Sequence, residues 1–300
     1  MRRYFLFSVT CLFVGAVSAC SKPDAVVNTE DIPTAGVRFI NAVPDTAGSA
    51  GLILRFVDLV ENNTQFRITY RDNPVTSSGI PGMGQVEYKP ARAGSRHMVI
   101  FYDDTIQAIA ATKVKDTTVT LTAGHNYTAI LWGYARAGQT PAMKLTFIDE
   151  TVPDPGTQVA LRVINATAGA IDVSQYLKGG AAPASPTWAN VGPLSVSSYV
   201  TVAPTTGTGA GIMFNVKSAG SATNMFTDVQ ALLGSPASSS PGATVIDIAP
   251  IPGTAVAGSA VTLVVFPPSV TGARTPQTAA FLLPAGAFMW DRRPPNPSGT

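Results

Sequence analysis

The sequence predicts an all-β protein built from two tandem β-sandwiches. Charged residues are only 13% of the chain, while 27 glycines and 24 prolines supply many turns, a composition found in many secreted all-β proteins. Short β-branched runs in which apolar and polar residues alternate are typical of strands. One strand-like phrase occurs twice, at residues 37–42 and again 124 residues later at 161–166. A repeat with this period indicates two copies of one domain-sized fold.

The first residues have the features of a secretion signal. Arg2 and Arg3 precede an apolar stretch over residues 4–19, which is shorter than the roughly 20 apolar residues of a membrane span. Residues 17–20, Val-Ser-Ala-Cys, resemble the lipobox of bacterial lipoproteins. The resemblance implies cleavage before Cys20 and attachment of diacylglycerol and an acyl chain such as palmitate to that residue. An ordinary signal peptide cut at the same bond, leaving Cys20 as a spare thiol, is the alternative.

The segment that follows has the composition of a tether. Residues 20–35 contain prolines and acidic residues without sustained periodicity, which suits a flexible link between a membrane and a folded domain. We therefore expect a signal peptide over residues 1–19, a lipidated tether over 20–35, and membrane lipid as a partner through acylated Cys20. Ser21 is not the aspartate that commonly retains Gram-negative lipoproteins at the inner membrane. In a host with two membranes, the outer membrane is the expected location.

The charge balance narrows the classes of partner. Removal of residues 1–19 takes away Arg2 and Arg3 and leaves 18 basic residues against 18 acidic residues. A neutral protein has no long-range attraction for phosphates, so nucleic acid and anionic lipid headgroups are poor candidates. With Cys20 committed to lipid, the mature chain has no pair of thiols for a disulfide. Its stability must come from burial of apolar surface.

The first half of the chain consists of short strand-like runs separated by turn residues. Turns are expected, for example, at residues 72–74 and 123–126, where Gly, Pro, Asn and Asp cluster. Residues 52–60 read equally well as a short helix or as a strand. About seven strands per copy suit a sandwich. The strands are expected over residues 37–42, 66–70, 85–88, 97–102, 108–114, 117–121, 127–132 and 143–148.

The second half repeats the landmarks of the first. The strands at 127–132 and 261–266 each precede a loop that ends in Thr-Pro. An apolar strand follows each loop, at residues 143–148 and 278–283. A few helical turns are plausible at residues 225–233. Segments rich in Gly, Ala, Ser and Pro are expected to form long loops; they are residues 181–186, 205–211 and 234–242.

A boundary between the two copies is expected at residues 152–156. This segment, Val-Pro-Asp-Pro-Gly, contains two prolines and a glycine that prevent a continuous strand or helix. The prediction is a first β-sandwich over residues 36–151 and a second over residues 157–293. Because each copy is long enough to bury its own core, we expect each to fold independently.

The repeated phrase and its neighbours resemble the DUF4397 family of secreted bacterial domains, which are often in tandem and often on lipoproteins. The resemblance implies an immunoglobulin-like antiparallel β-sandwich on a cell envelope, and it implies no catalytic residues. The first copy departs from the pattern at residues 51–56, where a short Val-Asp-Val type strand is expected, and the second is more divergent because of its long loops. The resemblance is carried by residues 37–45, 124–133, 145–150, 162–166 and 170–173.

Few residues are candidates for catalysis or metal binding. The only histidines are His97 and His125, and no Gly-x-Ser-x-Gly elbow accompanies them. Zinc would need carboxylates at a spacing that is not present. The pairs at residues 103–104 and 149–150 could offer oxygen to calcium, but adjacent carboxylates on a strand point to opposite faces. We predict no catalytic, metal or cofactor site, and exposed turn or strand-edge positions for both histidines.

Four residues are candidates for binding, namely Arg38, Arg162, Trp290 and Arg292. The first two occupy equivalent places in the repeated phrase and are expected on the outward face of their strands, where a matched pair could serve a ligand carboxylate. Trp and Arg favour interfaces. We nevertheless expect Trp290 to pack into its own sandwich and Arg292 to lie in a solvated tail.

Two asparagines at the end of the repeated phrase have an expected structural role. Asn41 and Asn165 close their strands at equivalent places. An Asn side chain at a strand end can accept a hydrogen bond from the backbone of the following turn. We therefore expect both to fix turns, and the Asn-x-Thr triplets at Asn62, Asn126 and Asn165 to be chance matches rather than glycan acceptors.

The sequence favours a non-catalytic binding, adhesion or structural module of the cell envelope. Sandwich domains present variable loops on a rigid scaffold, so the long loops of the second copy are the expected place for contacts with an envelope protein or a glycan. The alternative is an envelope hydrolase that acts on a glycan or a peptide with an unrecognised acidic site.

Overall fold

The computed structural model describes residues 31–45, 51–59, 65–68, 71, 88–207, 209–240, 246–270 and 279–295. The predicted signal peptide, Cys20 and most of the 20–35 tether lie outside these residues. In the described part of the chain, no helix is both long and apolar enough to cross a membrane.

The regular secondary structure of the described residues is almost entirely β-strand, which confirms the predicted all-β class. The first half contains β1 (Thr34–Ala42), β2 (Leu52–Phe56), β3 (Gln65–Ile68), β4 (Lys89–Arg92), β5 (Gly94–Tyr102), β6 (Lys113–Leu121), β7 (Asn126–Trp132) and β8 (Lys144–Asp149). The second half contains β9 (Val159–Asn165), β10 (Ile171–Leu177), β11 (Trp188–Val191), β12 (Ser195–Val196), β13 (Val200–Val202), β14 (Ile212–Ser218), β15 (Asn224–Gln230), β16 (Ser238–Ser240), β17 (Ile246–Ile248), β18 (Ala260–Phe266) and β19 (Ala285–Arg292).

Each half forms a sandwich of two sheets, and the strand order is the same in both. In the first half, the order β4-β1-β7-β8 packs on the order β3-β2-β5-β6. In the second half, β12-β9-β18-β19, with β13 also paired to β9, packs on β11-β10-β14-β15. We call β4-β1-β7-β8 and β12-β9-β18-β19 the two central sheets, and the other two the outer sheets.

Both central sheets contain one parallel pair among antiparallel neighbours. β1 runs parallel to β7, with Val37 opposite Tyr127, and β9 runs parallel to β18, with Leu161 opposite Val261. Each pair joins an early strand to one that returns after the chain has crossed to the outer sheet and back. Sequence periodicity does not distinguish parallel from antiparallel partners, so this pairing was not predicted.

The central sheets face each other, and each is buried on both faces. Along β9, Leu161 and Val163 belong to the core of the second sandwich, whereas Ile164 belongs to a cluster that includes the core of the first sandwich. The same alternation divides β18 and β19. Because successive side chains of a strand point to opposite faces, the even-numbered side chains of β9 face the first half. The expectation of two independent cores is wrong in this respect.

Three predicted elements differ from the structure. Residues 107–110 form a short α-helix before β6, where a strand was expected, because this Ala-rich segment has high helix propensity. Residues 224–230 form strand β15, where a helix was expected, because pairing with β14 overrides local propensity. Residues 279–282 form a 3₁₀ helix, and the last strand begins only at Ala285. The ambiguous segment after residue 51 is strand β2.

Candidate functional site

Four charged side chains are buried between the two central sheets. Arg38 on β1 and Glu150 after β8 come from the first half, and Arg162 on β9 and Asp291 on β19 come from the second. Their side chains are at most 5% exposed. We call these four residues the central cluster. Two positive and two negative charges balance within it.

Arg38 binds carboxylates from both halves. Its Nε donates to Thr128 Oγ1 on β7 at 2.7 Å, and its Nη2 donates to Glu150 Oε1 at 3.1 Å. The same Nη2 donates to Asp291 Oδ1 at 2.6 Å. The guanidinium carbon lies 4.5 Å from the centroid of the Tyr88 ring, within the range of a cation–π contact. Arg38 therefore joins the two central sheets.

Arg162 makes the equivalent set of contacts from the other side. Its Nε donates to Thr262 Oγ1 on β18 at 2.8 Å. Its Nη2 donates to Glu150 Oε1 at 2.8 Å and to Asp291 Oδ1 at 3.2 Å, and its Nη1 lies 2.8 Å from Glu150 Oε2. The guanidinium carbon lies 4.7 Å from the centroid of the Tyr199 ring.

Hydroxyl groups complete the network around the two carboxylates. Thr128 Oγ1 donates to Glu150 Oε1, and Thr262 Oγ1 donates to Asp291 Oδ2. Tyr199 OH also donates to Asp291 Oδ2, at 2.9 Å. Burial of ionised groups is tolerable only when partners compensate the charge and accept or donate hydrogen bonds. The network supplies hydrogen bonds to both carboxylates, and Glu150 Oε2, which has no hydrogen bond, is held by its ion pair with Arg162.

The electrostatics keep Arg38, Arg162 and Asp291 ionised. Burial by itself would raise the pKa of the Asp291 carboxyl, but Arg162 and Arg38 outweigh burial, so the pKa lies below its ordinary value. Burial also opposes the charge on Arg38, yet the neighbouring Asp291 raises the pKa of that guanidinium above its ordinary value. Burial raises the pKa of Tyr88 to about 12. Near neutral pH both arginines and Asp291 are charged.

The position expected for the two arginines is corrected by this geometry. Arg162 does lie on the strand face that points away from its own sandwich, between Leu161 and Val163, which face the core. That face is covered by the other half of the chain, so neither Arg38 nor Arg162 reaches solvent. The carboxylates they bind are Glu150 and Asp291 rather than those of an external ligand.

Trp290 and Arg292 lie on β19, beside the central cluster. The Trp290 side chain packs in the core of the second sandwich, as expected, and its carbonyl oxygen accepts a hydrogen bond from Arg38 Nη1 at 3.0 Å. Arg292 pairs with Ala260 at the end of the strand. Its side chain is 30% exposed, and its Nη2 donates to Asp154 Oδ2 at 2.7 Å. The expected solvated tail is wrong for Arg292, because the strand extends through it.

A polar cleft of about 460 Å³ opens next to the central cluster. Its size is in the range of small-molecule sites. At its mouth, His125 Nδ1 lies 3.0 Å from Asp149 Oδ2, and both side chains are about half exposed. The lining includes His125, Asn126, Asp149, Glu150, Asp291 and Arg292. The cleft is therefore built from both halves of the chain.

The second histidine lies on a different sheet. His97 is on β5 of the first outer sheet, where Nε2 lies 2.6 Å from Asp116 Oδ1, and Lys113 Nζ donates to the other oxygen of that carboxylate. All three side chains are well exposed. Both histidines are exposed, but only His125 lies in a turn as predicted, because His97 is inside β5, an inner strand of its sheet. Among the described residues, no group of three or more His, Cys, Asp or Glu side chains could hold a metal ion.

Short-range polar contacts fix turns as the sequence predicts. Asn41 Oδ1 accepts from Val43 N at 3.2 Å, and Asn165 Oδ1 accepts from Thr167 N at 2.9 Å. Asp104 Oδ1 accepts from the backbone N–H two residues later, so this carboxylate of the 103–104 pair shapes a turn.

Part of the long loop predicted at residues 234–242 forms a β-ribbon. β16 and β17 pair antiparallel, and two backbone hydrogen bonds between Ser235 and Ile251 fasten the base of the ribbon. Gly234 has φ +73°, and a Cβ there would collide with the carbonyl oxygen of Ile251. The glycine is required for this close approach. Ile248 at the end of β17 is 48% exposed.

Sequence reasoning missed the partners of the two arginines. Glu150 was considered only as half of a possible calcium pair at residues 149–150, and Asp291 was given no role. A usable signal was present: Thr128 and Thr262 occupy equivalent places in the two repeated strands, and an acidic residue closes the following strand in each half. A matched Arg, Thr and acid in two halves with the same strand order indicates one shared structural site.

Residues 35–174 match the sequence profile of a domain of unknown function. A DUF4397 domain spans residues 35–174. The DUF4397 match begins in β1 and ends in β10, so it covers the strands of the first half. It also extends past the predicted boundary at residues 152–156 into the first two strands of the second half.

Comparisons with solved structures and with curated proteins do not extend this assignment. One structure similar to this chain is that of a Bacteroides fragilis protein provisionally described as a cell adhesion protein. The sequence identity is 10%, the alignment covers 90% of this chain and 100% of that chain, and the TM-score is 0.18. No curated protein matches the chain.

Proposed function

We propose that this protein is a non-catalytic module of the bacterial cell envelope, anchored to lipid through Cys20. The observation that carries the proposal is the central cluster. The two arginines that could have bound a ligand carboxylate are neutralised by Glu150 and Asp291 inside the fold. Their role is to join two sandwiches into one body that displays its outer sheets and loops.

The geometry of the acidic residues supports the non-catalytic reading over a glycan or peptide hydrolase. Glycoside hydrolysis needs one carboxyl that remains protonated near neutral pH to act as general acid. Glu150 and Asp291 each accept hydrogen bonds from both arginines. The lowered pKa of Asp291 is the opposite of what an acid catalyst requires.

The second half fits a divergent copy of the DUF4397 domain. Its four central strands and four outer strands have the same order as those of the first half. We place the first copy over residues 36–151 and the second over residues 157–293. The β16–β17 ribbon, which the first copy lacks in its described part, is the surface we assign to contact with an envelope protein or a glycan.

Detergent-phase partitioning of the full chain tests the anchor, in parent and Cys20→Ala forms. We expect the parent in the detergent phase and the variant in the aqueous phase, because several acyl chains hold a protein firmly to a membrane whereas an unlipidated neutral protein has no such attraction. Cys20→Ser is a second form with the same expectation. If the variants partition like the parent, the lipid anchor is wrong.

A further inference from the structure

The central cluster has the contact pattern of a two-fold symmetric interface. In such an interface, residue i of one partner contacts residue j of the other, and j contacts i. Arg38 of the first half contacts Asp291 of the second, and Arg162 of the second contacts Glu150 of the first. Each arginine also contacts the acid of its own half.

The equivalence extends to the residues that support the arginines. Each guanidinium donates from Nε to a threonine on the neighbouring parallel strand, at 2.7 Å for Thr128 and at 2.8 Å for Thr262. Each lies over a tyrosine that precedes an edge segment of its central sheet, at 4.5 Å for Tyr88 and 4.7 Å for Tyr199. The two threonines, and likewise the two tyrosines, occupy equivalent positions in two sheets that have the same strand order.

Apolar contacts surround the charges on both sides. Ile164, Val264 and Met289 of the second central sheet belong to the same buried cluster as Ile40 and Ile130 of the first. Since the burial of apolar surface supplies most of the free energy of association, the charges add selectivity to a contact that is already favourable. An unpaired buried charge would oppose any other pairing.

We propose that the two central sheet faces are two versions of one self-complementary association surface. The partner that fits either face is therefore a second copy of the same half, as well as the other half of the same chain. In a pair of first halves, each Arg38 would meet its own Glu150 and the Glu150 of the second copy. This inference is independent of the proposed envelope function, because it concerns only the buried faces.

A cleavable full chain tests the proposal. A protease site is inserted after Gly156, an exposed turn residue between β8 and β9, and the folded protein is cut. Its native mass is then measured by light scattering during size-exclusion chromatography. We expect the two cut halves to elute together at the mass of the intact chain. Their separation at micromolar concentration would overturn the proposal.

The Asp291→Lys variant of the cuttable chain tests self-complementarity. It places a third positive charge against Arg38 and Arg162, which should weaken the contact between unlike halves by more than about a hundredfold. The first half is unchanged, so after cutting we expect it to elute at twice its own mass. Asp154→Lys is the control, because Asp154 is 64% exposed, and it should leave the halves together.

The outcome does not depend on one variant. If uncut Asp291→Lys lacks the circular dichroism of the parent, Asp291→Asn replaces it, since Asn removes the charge and keeps the shape. A first half that is released as a monomer, folded or unfolded, would overturn the proposal. So would a first half that stays fully bound to the variant second half.

Discussion

Replacement of Asp291 by Asn should destabilise the protein strongly. The carboxylate accepts hydrogen bonds from Arg38 at 2.6 Å, from Tyr199 at 2.9 Å and from Arg162 at 3.2 Å. Asn keeps the volume and one acceptor oxygen but removes the negative charge. Two buried guanidinium groups would then share the single carboxylate of Glu150, which leaves an uncompensated charge between the central sheets.

The expected cost follows from the burial of the pair. Removal of one partner from a buried ion pair costs about 3–5 kcal/mol, and the acceptor that Asn retains places this variant near the lower end, at about 3 kcal/mol. For a chain of this size, a loss of 1 kcal/mol lowers Tm by about 2–4 °C. We therefore expect Tm to fall by about 6–12 °C in a thermal unfolding experiment followed by circular dichroism.

Asp149→Asn is the matched control for this experiment. Asp149 is adjacent to Glu150 in sequence, but its side chain is 52% exposed and it pairs with His125 alone. Exposed ion pairs are worth little, so the control should lie within about 0.5 kcal/mol of the parent, which corresponds to about 1–2 °C. Equal Tm values for the two variants would refute a stabilising role for the central cluster.

Three further predictions concern pH, catalysis and partner binding. The pKa of Asp291 is lower in the folded state than the value of about 3.9 expected in an unfolded chain. The unfolded state therefore binds more protons in acid, and the free energy of unfolding should fall as pH drops below about 4. Urea unfolding at several pH values should show a smaller loss of stability for Asp291→Asn than for the parent. If the proposed non-catalytic function is correct, the double variant His97→Gln, His125→Gln should restore the phenotype of a deletion strain as well as the parent does; loss of a catalytic base would instead cost about 10²-fold or more in rate. Replacement of Ile248, which is 48% exposed at the end of the ribbon, by Asp should weaken capture of an envelope partner without lowering Tm by more than about 1–2 °C, since exposed substitutions change stability by about 0.5 kcal/mol or less; unchanged capture would remove the ribbon from the binding surface.

Local patterns were sufficient to predict several strands and turns. Alternation and β-branched runs located β1, β7, β9 and β18 within a few residues, and the strand-end role of Asn165 follows from the chemistry of its side chain. The burial of Trp290 in its own sandwich also followed from the strand pattern. These features depend on neighbours close in sequence or on a single face of one strand.

The central cluster could not be predicted because its partners are remote. Arg38 and Asp291 are 253 residues apart in the chain, and no local pattern connects them. An arginine on the face opposite its own core was read as solvated. The sequence of β9 and β18 did carry a signal for their burial, because VALRVIN and AVTLVVF are apolar at nearly every position, as is typical of strands covered on both faces.

The helix and strand errors have a related cause. The Ala-rich segment before β6 and the segment at residues 279–282 have helical propensity with no strand partner to override it. In β15, cross-strand pairing overrides the local helical propensity, because Phe214 and Val216 of β14 pair with this strand. Strand propensity depends on cross-strand partners, and those partners are set by the tertiary fold.

A double-mutant cycle on Arg38 and Asp291 tests most directly whether the central cluster joins the two halves. The pair spans the halves and its atoms are 2.6 Å apart. Urea unfolding of the parent, Arg38→Met, Asp291→Asn and the double variant gives the coupling free energy. We predict that the double variant is much more stable than the sum of the single losses implies, with a coupling of about 2 kcal/mol or more. A coupling within about 0.5 kcal/mol of zero would contradict the account.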